Sequence, residues 1–288
     1  MLLGAHMSVS GGLHLAFERG HKVGCQTMQV FTKNERQWKA KPLSELDISS
    51  WKTAAGGSTI GPVLTHDSYL INLANPTEEA WEKSLDAFKD EIERNGILGI
   101  PFLVTHAGAH LNSGEEPGLA RIAQAVNRIH REITEETGAA PGTTILFETT
   151  AGQGTALGYK FEHWARLLEQ LDHPEWTGIC FDTCHVFASG YDMTTPETYE
   201  ATMSEFQKYI GTHRIKAFHM NDSQKGLGSR VDRHEAIGKG AMGLEPFRFL
   251  MNDQRFQNVP MVLETPKGPE GKEDVENMET LRNLIGTL

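Results

Sequence analysis

The chain has 288 residues, of which 39% are hydrophobic, 23% charged and 8% aromatic, a globular composition with enough apolar material for a sizeable core. Its 27 basic and 38 acidic residues give a formal charge of -11, which excludes attraction of polyanions by the surface as a whole and confines any nucleic-acid footprint to a local patch. Cys25, Cys180 and Cys184 make neither a disulfide framework nor a C-x-x-C pair, no run of about 18 apolar residues exists, and the start Met1-Leu2-Leu3-Gly4-Ala5-His6 lacks the order of a secretory signal, so a reducing cytoplasm is expected and a membrane is not.

Short apolar runs alternate with amphipathic, capped stretches along the chain, the pattern of repeated strand and helix units. Eight strands are predicted, over Leu2 to His6, Thr27 to Phe31, Pro62 to His66, Phe102 to His106, Thr144 to Glu148, Ile179 to Asp182, Ile215 to His219 and Met261 to Glu264. Between the second and third strands, Lys39 to Gly61 reads as the longest irregular insertion. Glu78 to Asn95 places Trp81, Leu85, Phe88 and Ile92 on one helical face, with Thr77 as N-cap and Gly96 as the stop. Leu119, Ile122, Val126, Ile129 and Ile133 repeat that spacing in a helix that ends at Gly138. Further helices are expected over Phe161 to Leu171, from Thr195-Pro196-Glu197 onward, over Pro246 to Asn252 and over Val275 to Leu284.

Eight such units in one uninterrupted chain fit an α/β fold, a single (β/α)8 TIM barrel over residues 1–288, whose kind typically occupies about 250 residues. A doubly wound sheet would carry a Gly-x-Gly-x-x-Gly turn after an early strand. The nearest match, Gly152-Gln153-Gly154-Thr155-Ala156-Leu157-Gly158, has the wrong spacing and follows the fifth strand.

Seven of the eight strands end in a residue able to bind a metal or move a proton, namely His6, His66, His106, Glu148, Asp182, His219 and Glu264. In a barrel the C-terminal strand ends face one mouth, so residues far apart in sequence converge there. Asp182-Thr183-Cys184-His185 adds His185 one turn beyond the sixth strand, and Asp232-Arg233-His234 puts two donors on one face of an extended loop. With His6 set aside, the set is His66, His106, Glu148, Asp182, His185, His219, Asp232, His234 and Glu264. Nine nitrogen and oxygen donors without a thiolate suit two or three zinc or manganese ions with a bridging carboxylate. A lone strand-end histidine is more often structural, but six such endings in consecutive strands, His66 to Glu264, reverse that expectation. Cys180 and Cys184 read as packing residues, Trp81 and Phe88 as core, His110 as lying behind the site, and the histidines at 14, 21, 130, 163, 173 and 213 as solvated. Glu148, Asp182, His219 and Glu264 alone would make a single-metal sugar isomerase site, a reading that leaves five donors unused.

At these residues the sequence resembles the endonuclease IV family of zinc-dependent apurinic/apyrimidinic endonucleases, over nearly the whole chain. The segments that carry the resemblance are Gly4-Ala5-His6-Met7-Ser8, Phe31 to Trp38, His66-Asp67-Ser68-Tyr69-Leu70-Ile71-Asn72-Leu73, Phe147-Glu148-Thr149-Thr150-Ala151-Gly152-Gln153-Gly154, Phe181 to His185, His219-Met220-Asn221-Asp222-Ser223 and Gly228 to His234. The resemblance implies three zinc ions (Zn2+), with Mn2+ as an admissible occupant. The first would lie on His66, His106 and Glu148, the second on Glu148, Asp182, His219 and Glu264, and the third on His185, Asp232 and His234. It further implies that Arg36, Gln37 and Tyr69 enter double-stranded DNA at an abasic site, with Glu35 as an acid on the same loop. The implied enzyme is a DNA-repair phosphodiesterase that cuts 5′ to the lesion, leaving a 3′-hydroxyl and a 5′-deoxyribose phosphate. A cytoplasmic monomer working at the nucleoid, with no obligate protein partner, is the accompanying expectation. Arg36, Lys33, Arg230 and Arg233 would supply positive charge near the mouth.

Overall fold

The computed structural model describes residues 1–106, 108–268 and 270–287. Eight parallel strands close into a barrel in the order β1 (Leu2–His6), β10 (Pro260–Leu263), β7 (Ile215–His219), β6 (Thr177–Asp182), β5 (Thr144–Glu148), β4 (Phe102–His106), β3 (Val63–His66) and β2 (Thr27–Val30). A two-stranded antiparallel ribbon, β8 (Asp222–Ser223) and β9 (His234–Glu235), stands at the C-terminal mouth. Among the described residues, no helix is long and apolar enough to cross a membrane.

The two faces of each strand are set by alternation. Leu64, Val104, Leu146, Cys180, Ala217 and Val262 form a small apolar cluster of their own, which plugs the barrel interior. Two residues later the chain returns to the same face, at His66, His106, Glu148, Asp182, His219 and Glu264. The same step leads from Gly4 to His6 on β1 and from Thr27 to Gln29 on β2, where Gly4 pairs with Thr27 and His6 with Gln29. Gly4 is required by that close pairing, because a Cβ there would lie 1.8 Å from the Thr27 carbonyl oxygen.

The other strand face packs on the helical layer. Among the helices, α3 (Glu78–Leu98) buries Trp81, Leu85, Phe88 and Ile92, and α4 (Glu115–Thr137) buries Leu119, Ile122, Val126, Ile129 and Ile133 before the left-handed Gly138 ends it. α7 (Pro196–Tyr209) opens with Pro196 at its first turn and with the Thr195 hydroxyl accepting from the Thr198 amide. α5 (Phe161–Glu169), α8 (Glu245–Asn252) and α9 (Lys272–Asn283) occupy the three further stretches expected to be helical. Burial of some twenty large side chains in such a layer, at roughly 1.5–3 kcal/mol each, is the main stabilising term.

Several boundaries differ from the sequence reading. β2 ends at Val30, not Phe31, β3 begins at Val63, β6 begins two residues early at Thr177, and Glu264 lies one residue past β10. α3 runs through Gly96 to a left-handed Gly99, because the extra turn buries Leu98. The Lys39 to Gly61 stretch is not irregular: it holds α2 (Glu45–Gly56), opened by a reciprocal Ser44–Asp47 capping box. Only Trp51 of that helix is buried, so no apolar periodicity marks it. The short helices α1 (Leu15–Val23) and α6 (Thr183–Ser189) are likewise additions to the sequence reading.

His130 and His163 are not solvated, each being only 2% exposed. His130 lies on α4 with its ring edge-on to Trp176, at 5.2 Å between centroids. Burial disfavours its imidazolium and depresses the pKa from 6.5 to about 4. The unfolded chain therefore binds the extra proton between these values, so the stability contributed by the neutral ring is complete above pH 6.5 and is lost as the pH falls towards 4. His130→Leu is expected to remove this component, on the order of 3 kcal/mol, from the difference in unfolding free energy between pH 7 and pH 4 by urea titration. Identical pH dependence in the variant would refute the assignment.

Candidate metal centre

The inner face of the barrel mouth is built from strand ends, and Glu148 at the end of β5 is its centre. The Glu148 carboxylate is fully buried, and its two oxygens look in different directions. Oε2 lies 3.2 Å from His66 Nε2 and 3.1 Å from His106 Nε2. Oε1 lies 2.9 Å from His219 Nδ1, which is itself 3.1 Å from Glu264 Oε2 and 3.9 Å from Asp182 Oδ2. A third group stands beside these. His185 Nε2 lies 3.1 Å from Asp232 Oδ2 and 3.4 Å from His234 Nε2. Within each group, His66–His106–Glu148, Glu148–Asp182–His219–Glu264 and His185–Asp232–His234, one donor atom from every residue lies within 4.8 Å of the others. The structure thus brings together all nine residues singled out from the sequence.

Local structure explains the two short spacings. Asp182 is the N-cap of α6 and accepts from the His185 amide at 2.7 Å, so the helix start turns His185 back over the mouth. The β8–β9 ribbon sets Ser223 opposite His234 and holds the Asp232–His234 segment against the barrel.

The donor set fits divalent ions. At metal–ligand distances of about 2.0–2.1 Å, tetrahedral ligands stand about 3.4 Å apart, and the contacts above scatter round that edge length. The outward ring nitrogens are also committed. His66 Nδ1 donates to the Asp67 carbonyl at 2.9 Å, His185 Nδ1 to the Thr149 carbonyl at 2.8 Å and His219 Nε2 to Gln29 Oε1 at 2.8 Å. Each such bond fixes a proton on the outer nitrogen and so reserves the inner one for a metal once its own proton is displaced, the arrangement characteristic of metal-binding histidines.

Sequence reasoning missed the residues that hold these donors. Asn221 is fully buried, donates to Asp182 Oδ2 at 2.7 Å and accepts from the Glu264 amide at 2.9 Å. Gln29 comes from β2, the one strand whose predicted end carried no titratable group. Tracing the period-two alternation from Thr27 would have marked it. His6 lies 3.7 Å from Glu264 but belongs to none of the three groups. His110 caps the loop before α4, accepting from the Gly114 amide. Cys184 approaches Asp182 and His234, but burial pushes its thiol up to about 12, so it is a protonated packing residue. Cys180 is likewise pushed up to about 12 by burial.

Arg36 and Gln37 are exposed on the loop after β2, and Tyr69, 60% exposed, follows β3. The Ser68 hydroxyl donates to the Glu35 carbonyl at 2.8 Å and ties the two loops together, while the Glu35 carboxylate lies 3.7 Å from Arg36 Nε. Tyr69, Asn72, His106, Gln153, His185 and Asp232 line a cavity of about 280 Å³ that opens beside the metal-type groups. Arg230 and Arg233 are exposed. Lys33 is not available to a polyanion: its ammonium is buried, 2.7 Å from Asp90 and 3.4 Å from Glu91. With Arg94, which donates to the Thr32 carbonyl at 2.6 Å, it anchors the Arg36 loop on α3.

The charges are strongly coupled. Burial disfavours ionised Glu148, but the surrounding imidazoles outweigh it and hold the carboxyl well below its ordinary value. Conversely, burial opposes the His66 imidazolium while Glu148 overcomes it, lifting the pKa to about 9. Asp182 is driven up by burial, and Asp232 is held at about 2 because His185 and His234 outweigh its burial.

A model of the xylose isomerase-like TIM barrel family matches residues 17–284. Barrel and mouth together define the class, a xylose isomerase-like TIM barrel with His, Asp and Glu groups suited to divalent metal. The chain is 55% identical over 282 residues to the probable endonuclease 4 of Chloroflexus aurantiacus, covering 98% of this chain and 97% of that relative. It is 51% identical over 283 residues to the probable endonuclease 4 of Geobacter sulfurreducens, covering 98% and 94%. The crystal structure of endonuclease IV from Thermus thermophilus matches with a TM-score of 0.84 at 32% identity, over 99% of this chain and 98% of that one. The chain belongs to the endonuclease IV family and is a phosphodiesterase of that family.

Because metal-free His66 holds its proton up to about pH 9, uptake of zinc by chelator-stripped protein at pH 7 is expected to release protons, and the affinity to weaken as the pH falls. Calorimetry in buffers of different ionisation enthalpy reads the release directly. Zinc uptake without proton release would exclude these imidazoles as ligands.

Proposed function

We propose that the protein is a DNA-repair endonuclease that hydrolyses the phosphodiester 5′ to an abasic site in double-stranded DNA, leaving a 3′-hydroxyl and a 5′-deoxyribose phosphate. Three zinc ions would be held by His66, His106 and Glu148, by Glu148, Asp182, His219 and Glu264, and by His185, Asp232 and His234. The observation that carries this reading is the shared carboxylate: Glu148 turns one oxygen to each of two donor groups, with the third group 3.3 Å away through His185. Bound there, divalent zinc supplies Lewis-acid stabilisation of phosphoryl charge and activates water near neutral pH.

The chain's own residues supply orientation and access. The nine donors sit on strand ends and on tightly tied turns, so the ligand geometry is preorganised. The four carboxylates Glu148, Asp182, Asp232 and Glu264 would be outweighed by the six positive charges of three divalent ions, and the mouth would then be locally cationic in a chain of formal charge -11. Exposed Arg36, Arg230 and Arg233 extend that field to the rim. Tyr69 stands exposed at the edge of the cavity, where it meets the duplex with Arg36 and Gln37. An abasic nucleotide lacks one base's stacking and pairing, so turning it into the cavity costs less than the few kcal/mol typical of an intact one.

The test is incision of a duplex carrying one abasic analogue by metal-replete and chelator-stripped protein, with an undamaged duplex as control. Cleavage 5′ to the lesion by the replete protein alone is expected. Protein shown to hold about three zinc ions that leaves the duplex intact would overturn the reading. Glu148→Gln is expected to lower the incision rate by on the order of 100-fold or more with loss of zinc, and incision at the wild-type rate with full metal content would remove the bridging role. Arg36→Ala is expected to weaken DNA binding while reducing the slope of log affinity against log salt by about one. An unchanged slope would place Arg36 away from the phosphates.

A further inference from the structure

The β2 strand contributes the one inward residue at the mouth that is neither acid nor imidazole. Gln29 is fully buried and does not line the cavity, so it meets the substrate side only through its neighbours. Its amide nitrogen lies 2.7 Å from Glu264 Oε1 and 3.0 Å from His6 Nδ1, and its amide oxygen lies 2.8 Å from His219 Nε2. The orientation of the amide follows from its partners. A carboxylate only accepts, so the NH2 end must face Glu264, and its second hydrogen goes to His6. The carbonyl end then has to accept from His219, which fixes a proton on Nε2 and leaves Nδ1 as the nitrogen that a metal would take. Nδ1 is the atom that faces Glu148, Glu264 and Asp182.

We propose that Gln29 is a positioning residue for the metal centre: one buried amide sets the tautomer of His219 and the rotamer of Glu264, and so presents both donors to the same ion. This rests on the metal reading of the mouth given above. The crosslink ties β2 to β1, β7 and β10 across the mouth, on the side of the ring that holds none of the His66–His106–Glu148 donors. An apolar residue at 29 would leave the buried His219 ring N–H without its acceptor and remove the amide donor from partly exposed Glu264 Oε1.

The experiment compares the wild-type chain with Gln29→Met and Gln29→Glu. Zinc affinity is read by competition of zinc chloride with a chromophoric chelator, the hydrogen bonding of the His219 Nε2–H by 15N spectra of the zinc-loaded protein, and folding by thermal unfolding. Gln29→Met, similar in length but apolar, is expected to bind zinc about 10–100-fold more weakly at one site and to shift the His219 Nε2 resonance as its N–H loses the amide acceptor. Gln29→Glu keeps an acceptor for His219 but sets a carboxylate against Glu264. It is expected to keep the Nε2–H hydrogen bond and still lose affinity, and it decides the matter if the methionine variant does not fold. A folded variant that loses thermal stability but holds zinc with wild-type affinity would overturn the proposal. A wild-type chain that binds no zinc would instead overturn the metal reading on which it rests.

Discussion

Everything at the barrel mouth depends on a carboxylate buried where water does not reach. An ionised Glu148 at the end of β5 carries a large desolvation cost, and it is tolerated because His66, His106 and His219 face its two oxygens within 3.2 Å. The compensation is mutual, with the carboxylate held acidic and the His66 ring held basic. Asp182 is driven the other way and marks the place where burial outweighs the neighbouring imidazoles. A divalent cation relieves that imbalance better than a proton, since it meets several lone pairs at once.

This centre is rigid for reasons that lie in the barrel itself. Six of its donors are on or one residue past strands whose inward neighbours, two residues earlier, form the apolar plug below. Moving one donor would require moving a strand that is hydrogen-bonded on both sides. The exposed Arg36, Gln37 and Tyr69 are on loops instead, and those loops are tied down from behind. Lys33 and Arg94 fasten the Arg36 loop to α3 through buried ion pairs and hydrogen bonds, and Ser68 fastens it to the Tyr69 turn. A lysine that looks in the sequence like a phosphate contact is thus an internal strut.

The sequence shows strand ends well because a barrel strand must be apolar until it reaches the mouth, and the change to His, Asp or Glu is abrupt. It shows Glu78–Leu98 and Glu115–Thr137 well because each buries a full apolar stripe. The same logic fails for α2, which buries Trp51 alone and declares itself only through the Ser44–Asp47 cap. It fails for His130, whose neutral ring is buried like an apolar residue although its letter reads as polar. Gln29 is hard to see because an amide gives no titratable signal and because extending β2 to Phe31 hides the inward position at 29.

By itself the sequence determined the alternation of eight strands with helices, the nine donors and the mouth at which they meet, because all three follow from local periodicity and from the direction shared by parallel strands. Only the tertiary structure decided which donor faces which. The two orientations of the Glu148 oxygens, the tautomers set by Asp67, Thr149 and Gln29, and the withdrawal of Lys33 from the surface all depend on how whole strands and loops are packed against one another, and no local pattern in the chain encodes that packing.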